Sequence, residues 1–269
     1  MSPKPLIARI RNLKLHHEKI GSGPPVVVLH GLFGSGRNWA TVAKALSHQY
    51  SFFLVDLRNH GKSPHTDSMK YDAMADDVLQ FIKELELYKT TLIGHSMGGK
   101  VAMTCALKTP TIVKNLVAID IAPVAYPNSF SEILAALNAM PLDQIHSRKD
   151  ADTWLETSIP EISIRSFILQ NLSIKESIAT WRFNLKAITF NILNLVGSLP
   201  DLTKRPFEGP TCFIRGALSD RVTVPAQPKI KYFFPKNRIQ TVPDAGHWPH
   251  TENRVEFLKI LKSCLDENH

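Results

Sequence analysis

Thr91-Leu92-Ile93-Gly94-His95-Ser96-Met97-Gly98-Gly99-Lys100 runs from a short apolar stretch, through a glycine-bracketed serine, into a small-residue series that continues to Leu107. This order reads as a strand, a tight turn and a helix. The turn forces Ser96 into a strained backbone conformation, and a side chain at position 94 or 98 would collide with the neighbouring strand or helix. In return Ser96 stands exposed at the sheet edge. It also sits at a helix N-terminus, where unpaired N–H groups and the helix dipole favour developing negative charge. The G-x-S-x-G pattern, common by chance, carries chemical meaning in this strand-to-helix setting.

Outward from this turn the same alternation repeats. Apolar runs at 26–29, 52–55, 91–93, 116–119, 211–214 and 239–242 read as strands buried on both faces of a parallel sheet. Helical patterns lie at 39–46, 71–87, 98–107 and 254–265. In the second, Met74, Val78, Phe81, Ile82 and Leu85 share one stripe opposite Asp76, Lys83 and Glu84. In the last, Val255, Leu258 and Leu261 share a face after a candidate Thr251 cap. Leu13, Leu15 and Ile20, followed by Gly21-Ser22-Gly23-Pro24, read as an edge strand and its turn. The expected architecture is α/β, a mostly parallel, doubly wound sheet covered on both sides.

Between about Pro123 and Phe207 the strand signals stop and the pattern turns helical throughout. We therefore expect residues 1–122 and 208–269 to form the core and residues 123–207 a helical cap over the carboxyl ends of the strands, where ligand crevices form. Leu134, Leu137, Met140, Trp154, Phe167, Trp181 and Phe183 give this cap more apolar bulk than its own packing needs, so part of it should line a pocket over Ser96.

Composition excludes several classes. The 269 residues are 43% hydrophobic and 21% charged, which suits a compact domain rather than a disordered or collagen-like chain. No apolar stretch approaches the roughly eighteen residues of a membrane span. The net charge of +8 raises nucleic acid as a partner, but Lys and Arg are spread singly, so a solvated basic face is the better reading. Cys105, Cys212 and Cys264 are far apart, odd in number and without CxxC spacing, and read as buried free thiols of an intracellular protein. Residues 1–17 carry Lys4, Arg9, Arg11 and Lys14 and no acid, as mitochondrial presequences do, although the edge-strand reading fits the local pattern better.

A serine hydroxyl needs a base to take its proton. Among eleven histidines, His247 is singled out because Ala245-Gly246-His247-Trp248 follows the last strand and precedes the final helix. His30 and His95 lie beside the glycine-rich loop and inside the turn, where they brace backbone. No histidine pair sits at i, i+4 with a nearby carboxylate, so neither a metal nor a cofactor is expected. The acid that orients His247 is Asp220, which gives the chain order Ser, Asp, His, or else Asp120 at the end of the strand after Ser96. Asp220 is preferred and Asp120 is the alternative. Donors for a developing oxyanion are the N–H of Met97 and one from His30-Gly31-Leu32-Phe33-Gly34-Ser35, with Leu32 ahead of Phe33.

With these residues assembled, the chain resembles the α/β-hydrolase superfamily over essentially its whole length. Within it the sequence looks like the YbfF-like esterase branch, which includes mitochondrial abhydrolase-domain proteins and yeast alcohol acetyltransferases. The resemblance rests on residues 30–35, Asp56-Leu57-Arg58-Asn59-His60-Gly61, residues 94–100 and 118–123, Trp181-Arg182-Phe183-Asn184, and Gly246-His247-Trp248. Asn59 stands where glycine is commoner in the superfamily. Several members of the branch lack an aspartate at the position of Asp220 and use that of Asp120. The resemblance implies a cap inserted after the sixth strand and a mitochondrial location, with the cytoplasm as alternative. It further implies hydrolysis of a small-molecule acyl ester or thioester, or transfer of the acyl group from acyl-CoA to an alcohol.

Overall fold

Unbroken runs of Val, Ile, Leu and Phe send apolar side chains to both sides of a strand, and only a sheet covered on both faces buries them all. The computed structural model of the protein describes residues 13–176, 178–200 and 205–266 and contains such a sheet. Its strands are β1 (His17–Ile20), β2 (Pro25–Leu29), β3 (Ser51–Val55), β4 (Thr90–His95) and β5 (Val113–Ile119). After a separate hairpin of β6 (Leu172–Lys175) and β7 (Ile178–Trp181) come β8 (Thr211–Gly216) and β9 (Asn237–Val242). The spatial order is β1-β3-β2-β4-β5-β8-β9. Only β1 runs antiparallel to its neighbour; every other pairing in this sheet is parallel.

The helices are α1 (Ala40–Leu46), α2 (Tyr71–Glu84), α3 (Met97–Lys108), α4 (Ser131–Ala139), α5 (Arg148–Glu156), α6 (Ile162–Leu169), α7 (Leu185–Val196), α8 (Gln227–Phe233), α9 (Pro249–Glu252) and α10 (Arg254–Asp266). Alternation along β2 shows how they divide between the two faces. Val27 and Leu29 pack with Met74, Val78 and Phe81 of α2 and Val101 of α3. Val26 and Val28 pack on the other side with Val42 and Leu46 of α1 and Phe257 and Leu261 of α10. One strand thus anchors two cores.

Several sequence expectations need correction. Leu85 ends α2 and is 39% exposed, because the helix stops one residue before it. On α10 the buried stripe is Phe257, Leu261, Cys264 and Leu265, whereas Val255 is 68% exposed. The larger Phe257 ring sets which face meets the sheet. Thr251 lies in α9, a separate turn, and does not cap α10. Because α10 crosses the face of β8, Cys212 and Cys264 meet and form a disulfide, with Cα atoms 6.2 Å apart, so neither is the free thiol read from the sequence. Cys105 is free and buried.

The chain between β5 and β8 contains α4 to α7, but it is not helical throughout. The β6–β7 hairpin interrupts it, with Leu172 opposite Trp181 and Ile174 opposite Ala179. Apolar residues at alternate positions gave a strand signal that the surrounding helical pattern masked. Five described strands precede this segment rather than six. The basic stretch over residues 1–12 lies outside the described residues. No helix of the described residues is long and apolar enough to cross a membrane.

The loop after β3 is organised by buried charge. Arg58 holds Asp77 of α2 through Nε at 2.5 Å and Nη2 at 2.8 Å, and donates to the carbonyls of Ser68 and Ala73. Asn59 adopts a left-handed φ of 65°, which asparagine tolerates better than most residues and which explains its place where glycine is usual. Arg58→Met should lower the unfolding free energy by about 3–5 kcal/mol, since it strands the buried Asp77 carboxylate. The shift of the urea midpoint checks this.

Candidate active site

Ser96 follows β4 and caps α3 with φ 50° and ψ −118°, conformational strain held in place by the packing around it. A Cβ on Gly94 would lie 2.2 Å from the carbonyl oxygen of Gly98, and one on Gly98 would lie 2.4 Å from that of Leu29. One oxygen belongs to the first turn of α3 and the other to β2, and neither can move without breaking its element, so both glycines are required.

Parallel register places the other two groups beside it. His95 pairs with Ile119, so Ser96 and Asp120 are the first residues beyond two adjacent strands, and Ser96 N–H donates to Ile119 O at 3.0 Å. His247 arrives on the loop after β9. Its Nε2 lies 3.1 Å from Ser96 Oγ and its Nδ1 2.8 Å from Asp120 Oδ2. Asp120 has a side-chain exposure of 0%. It accepts from Gly216 N–H at 3.0 Å and from Ser219 Oγ at 2.5 Å.

The preference for Asp220 is therefore corrected. Its side chain is 87% exposed and pairs with Arg221 at 3.3 Å. The loop after β8 turns Ser219 inward onto Asp120 and Asp220 outward, and Tyr126 fixes that turn by donating to Arg221 O at 2.7 Å. Chain order misled the choice because it is blind to which residue of a turn faces in. Ser219 was missed altogether, since a serine beside a preferred aspartate gives no signal of its own.

The two candidates in the glycine-rich loop also separate. Phe33, at φ 59°, spends its N–H on His60 Nε2 at 3.3 Å. The N–H groups of Leu32 and Met97 have no protein acceptor among the described residues, and both residues line the cavity at Ser96. The loop is held from two sides. His60 Nδ1 bonds Arg58 O at 3.0 Å, and Asn171 Nδ2 donates to Phe33 O at 2.5 Å. Asn184 further ties the β6–β7 region to the loop after β3, donating its N–H to Asn59 O at 2.8 Å.

Three buried histidines stay neutral around this site. Burial lowers His30, takes His60 down to about 3 and, with the charges of His247 and His250 beside it, holds His95 well below the ordinary range. His95 Nε2–H is then free to donate to His247 O at 2.8 Å, which fixes the backbone of the catalytic-loop candidate. His30 bonds Gly31 O at 2.8 Å and accepts from Leu57 N–H at 3.0 Å.

The cavity over Ser96 measures about 880 Å³. Phe130, Ile133, Ile164, Phe167 and Leu195, from the segment between β5 and β8, supply its apolar wall. Of the bulky residues expected there only Phe167 contributes. Leu134, Leu137, Met140 and Phe183 are buried in packing and Trp154 is 44% exposed, because the packing of their segments turns these side chains inward or to solvent. Among the described residues no cluster of His, Cys, Asp and Glu is suited to a metal.

Lys100, one turn beyond Ser96, is 1% exposed and donates to the carbonyls of Val196 and Gly197 at the end of α7. Its ammonium also lies 4.8 Å from the Tyr126 ring. Burial, and then the charge of Arg221, lowers its pKa to about 7. The unfolded chain would hold this proton up to about pH 10. Between those limits the unfolded state binds more protons, so this residue makes stability rise with pH from about 7 towards 10. Urea midpoints across that window should rise for the unaltered protein and lose this component in Lys100→Met.

Comparison with known proteins agrees with this geometry. A family model described as alpha/beta hydrolase fold matches residues 24–254. The sn-1-specific diacylglycerol lipase ABHD11 of Xenopus laevis is 38% identical over 91% of this chain and 80% of its own length. A probable alcohol acetyltransferase of Saccharomyces cerevisiae is 35% identical over 91% of this chain and 78% of its own. A solved marine microorganism esterase superposes with a TM-score of 0.90 and 39% identity, covering 93% of this chain and 99% of that one.

Proposed function

The chain belongs to the α/β-hydrolase fold family, and on that premise we propose that it is a serine hydrolase cleaving ester or thioester bonds of short- to medium-chain acyl groups. The observation that carries this is the continuous hydrogen-bonded series from Ser96 Oγ through His247 to the buried Asp120. In this reading Ser96 Oγ attacks the acyl carbonyl carbon while His247 Nε2 takes its proton. Asp120 keeps the Nδ1 proton pointed at itself and stabilises the imidazolium. The N–H groups of Met97 and Leu32 receive the oxyanion. Collapse of the tetrahedral intermediate expels the leaving group, which takes the proton from His247. Water, activated by the same histidine, then releases the acid and restores Ser96.

Residues 123–207 act as the lid of this site, and their apolar wall holds the acyl chain. A second reading, acyl transfer from acyl-CoA to an alcohol, is supported by the similarity to the yeast protein and by that wall, since limited water lets a bound alcohol compete for the acyl-enzyme. The family resemblance favours a mitochondrial location.

Ser96→Ala should abolish covalent labelling by a fluorophosphonate probe while leaving the urea midpoint nearly unchanged. Asp120→Asn should lower kcat by about 10⁴ through loss of the correct imidazole tautomer. Asp220→Asn should leave kcat within about twofold, as expected of an exposed surface pair. Steady-state hydrolysis of p-nitrophenyl acetate reads both, and the reverse ranking would return the role to Asp220.

A further inference from the structure

A second cavity, of about 650 Å³, lies on the seam between the sheet core and the segment that joins β5 to β8. Four exposed arginines line it. Arg37, in the turn before α1, and Arg254, at the start of α10, stand on the core; Arg148, at the start of α5, and Arg182, just after β7, stand on the connecting segment. None of these four guanidinium groups has an acid or hydrogen-bond partner among the described residues. Every other described arginine is engaged. Arg58 pairs with Asp77, Arg165 with Asp152 and Arg221 with Asp220; Arg215 donates to backbone carbonyls, and Arg205 and Arg238 make contacts of their own. The unpartnered arginines are thus confined to one concavity, which a basic face spread over the surface does not explain.

No free acid offsets this charge. Glu252, the one carboxylate in the lining, accepts from the N–H groups of Gly246 and Trp248. Neutral contacts already cross the seam at this point: Asn38 Nδ2 donates to Gln170 Oε1 at 2.8 Å, and the rings of Phe167 and Trp248 lie 5.6 Å apart. The arginines, two on each side, repel one another across it, and concave low-dielectric walls concentrate counter-ions. A single small anion fills only part of so large a cavity. A ligand with two linked phosphate groups can offer an oxygen fork to each pair, because guanidinium and phosphate match in bidentate geometry.

We propose that this cavity is a binding site for a compact diphosphate anion, held by Arg37 and Arg254 from the core and by Arg148 and Arg182 from the connecting segment. The inference goes beyond the acyl-serine reading and does not rest on it. Bound there, the anion replaces repulsion across the seam with attraction from both sides. It fastens the connecting segment to the core beside Asn171, which also lines the cavity and holds the glycine-rich loop through Phe33 O.

Calorimetric titration of the full chain with inorganic pyrophosphate, against sodium sulfate at the same ionic strength, tests the site, since screening acts alike in both. Pyrophosphate should bind at least about tenfold more tightly than sulfate. Arg37→Gln/Arg254→Gln and Arg148→Gln/Arg182→Gln should each weaken it about tenfold or more, the loss expected for charge-assisted hydrogen bonds. Without ligand, the urea midpoints of both variants should equal or exceed that of the unaltered protein, because like charges have been removed. Pyrophosphate should raise the midpoint of the unaltered protein and leave those of the variants nearly unchanged. ADP distinguishes the two sources of a diphosphate: binding as tight as that of pyrophosphate assigns the site to a nucleoside diphosphate, and weaker binding to the free anion. Pyrophosphate bound no more tightly than sulfate, binding unchanged in either variant, or a lowered midpoint in either variant would each overturn the proposal. So would inhibition of p-nitrophenyl acetate hydrolysis that competes with the ester and persists in both variants, which would put the anion at Ser96.

Discussion

A carboxylate with no exposure to water must have its lone pairs filled, and at Asp120 three donors come from two places in the fold: Gly216 and Ser219 at the end of β8, and His247 beyond β9. Burial without those partners would cost several kcal/mol. The requirement thus binds the ends of three neighbouring strands to one point. Because parallel register puts Ser96 on the adjacent strand end, the same point fixes the distance from histidine to serine. Structural need and chemical geometry coincide in one residue.

The strained turn at Ser96 depends on a second constraint, close backbone approach. Gly94 and Gly98 leave no room for a Cβ, so β2, β4 and α3 meet at van der Waals distance and hold φ positive at the serine. Around this rigid centre the glycine-rich loop after β2 is set by neighbours distant in sequence. His60 takes the Phe33 N–H, and Asn171 takes its carbonyl. The Leu32 N–H, by contrast, has no protein acceptor among the described residues. The segment between β5 and β8 therefore does more than line the cavity, since Asn171, just before its hairpin, holds the glycine-rich loop.

Charge is distributed unevenly around the two cavities. At the first, neutral histidines and one buried lysine surround an apolar wall; at the second, four exposed arginines line the cavity without an acid partner among the described residues. The ring pair Phe167 and Trp248 is the boundary between them.

The sequence by itself determined the sheet, the serine turn and the place of His247. These follow from local rules: unbroken apolar runs make buried strands, a glycine-bracketed serine between strand and helix makes one kind of turn, and a loop between the last strand and the last helix puts His247 at the same edge. The motifs 56–61 and 181–184 were legible as a resemblance, but not as partners of one another, because the contact of Asn184 with Asn59 spans 125 residues. Only the tertiary structure put Asp120 rather than Asp220 against His247, gave the Phe33 N–H and not that of Leu32 an acceptor, and set which of the bulky residues reach the cavity. It alone also paired Cys212 with Cys264 and gathered four arginines into one concavity. Each of these depends on which way a side chain or N–H faces across elements far apart in the chain. One-dimensional patterning carries the period of a helix or strand, not the rotation that packing gives it.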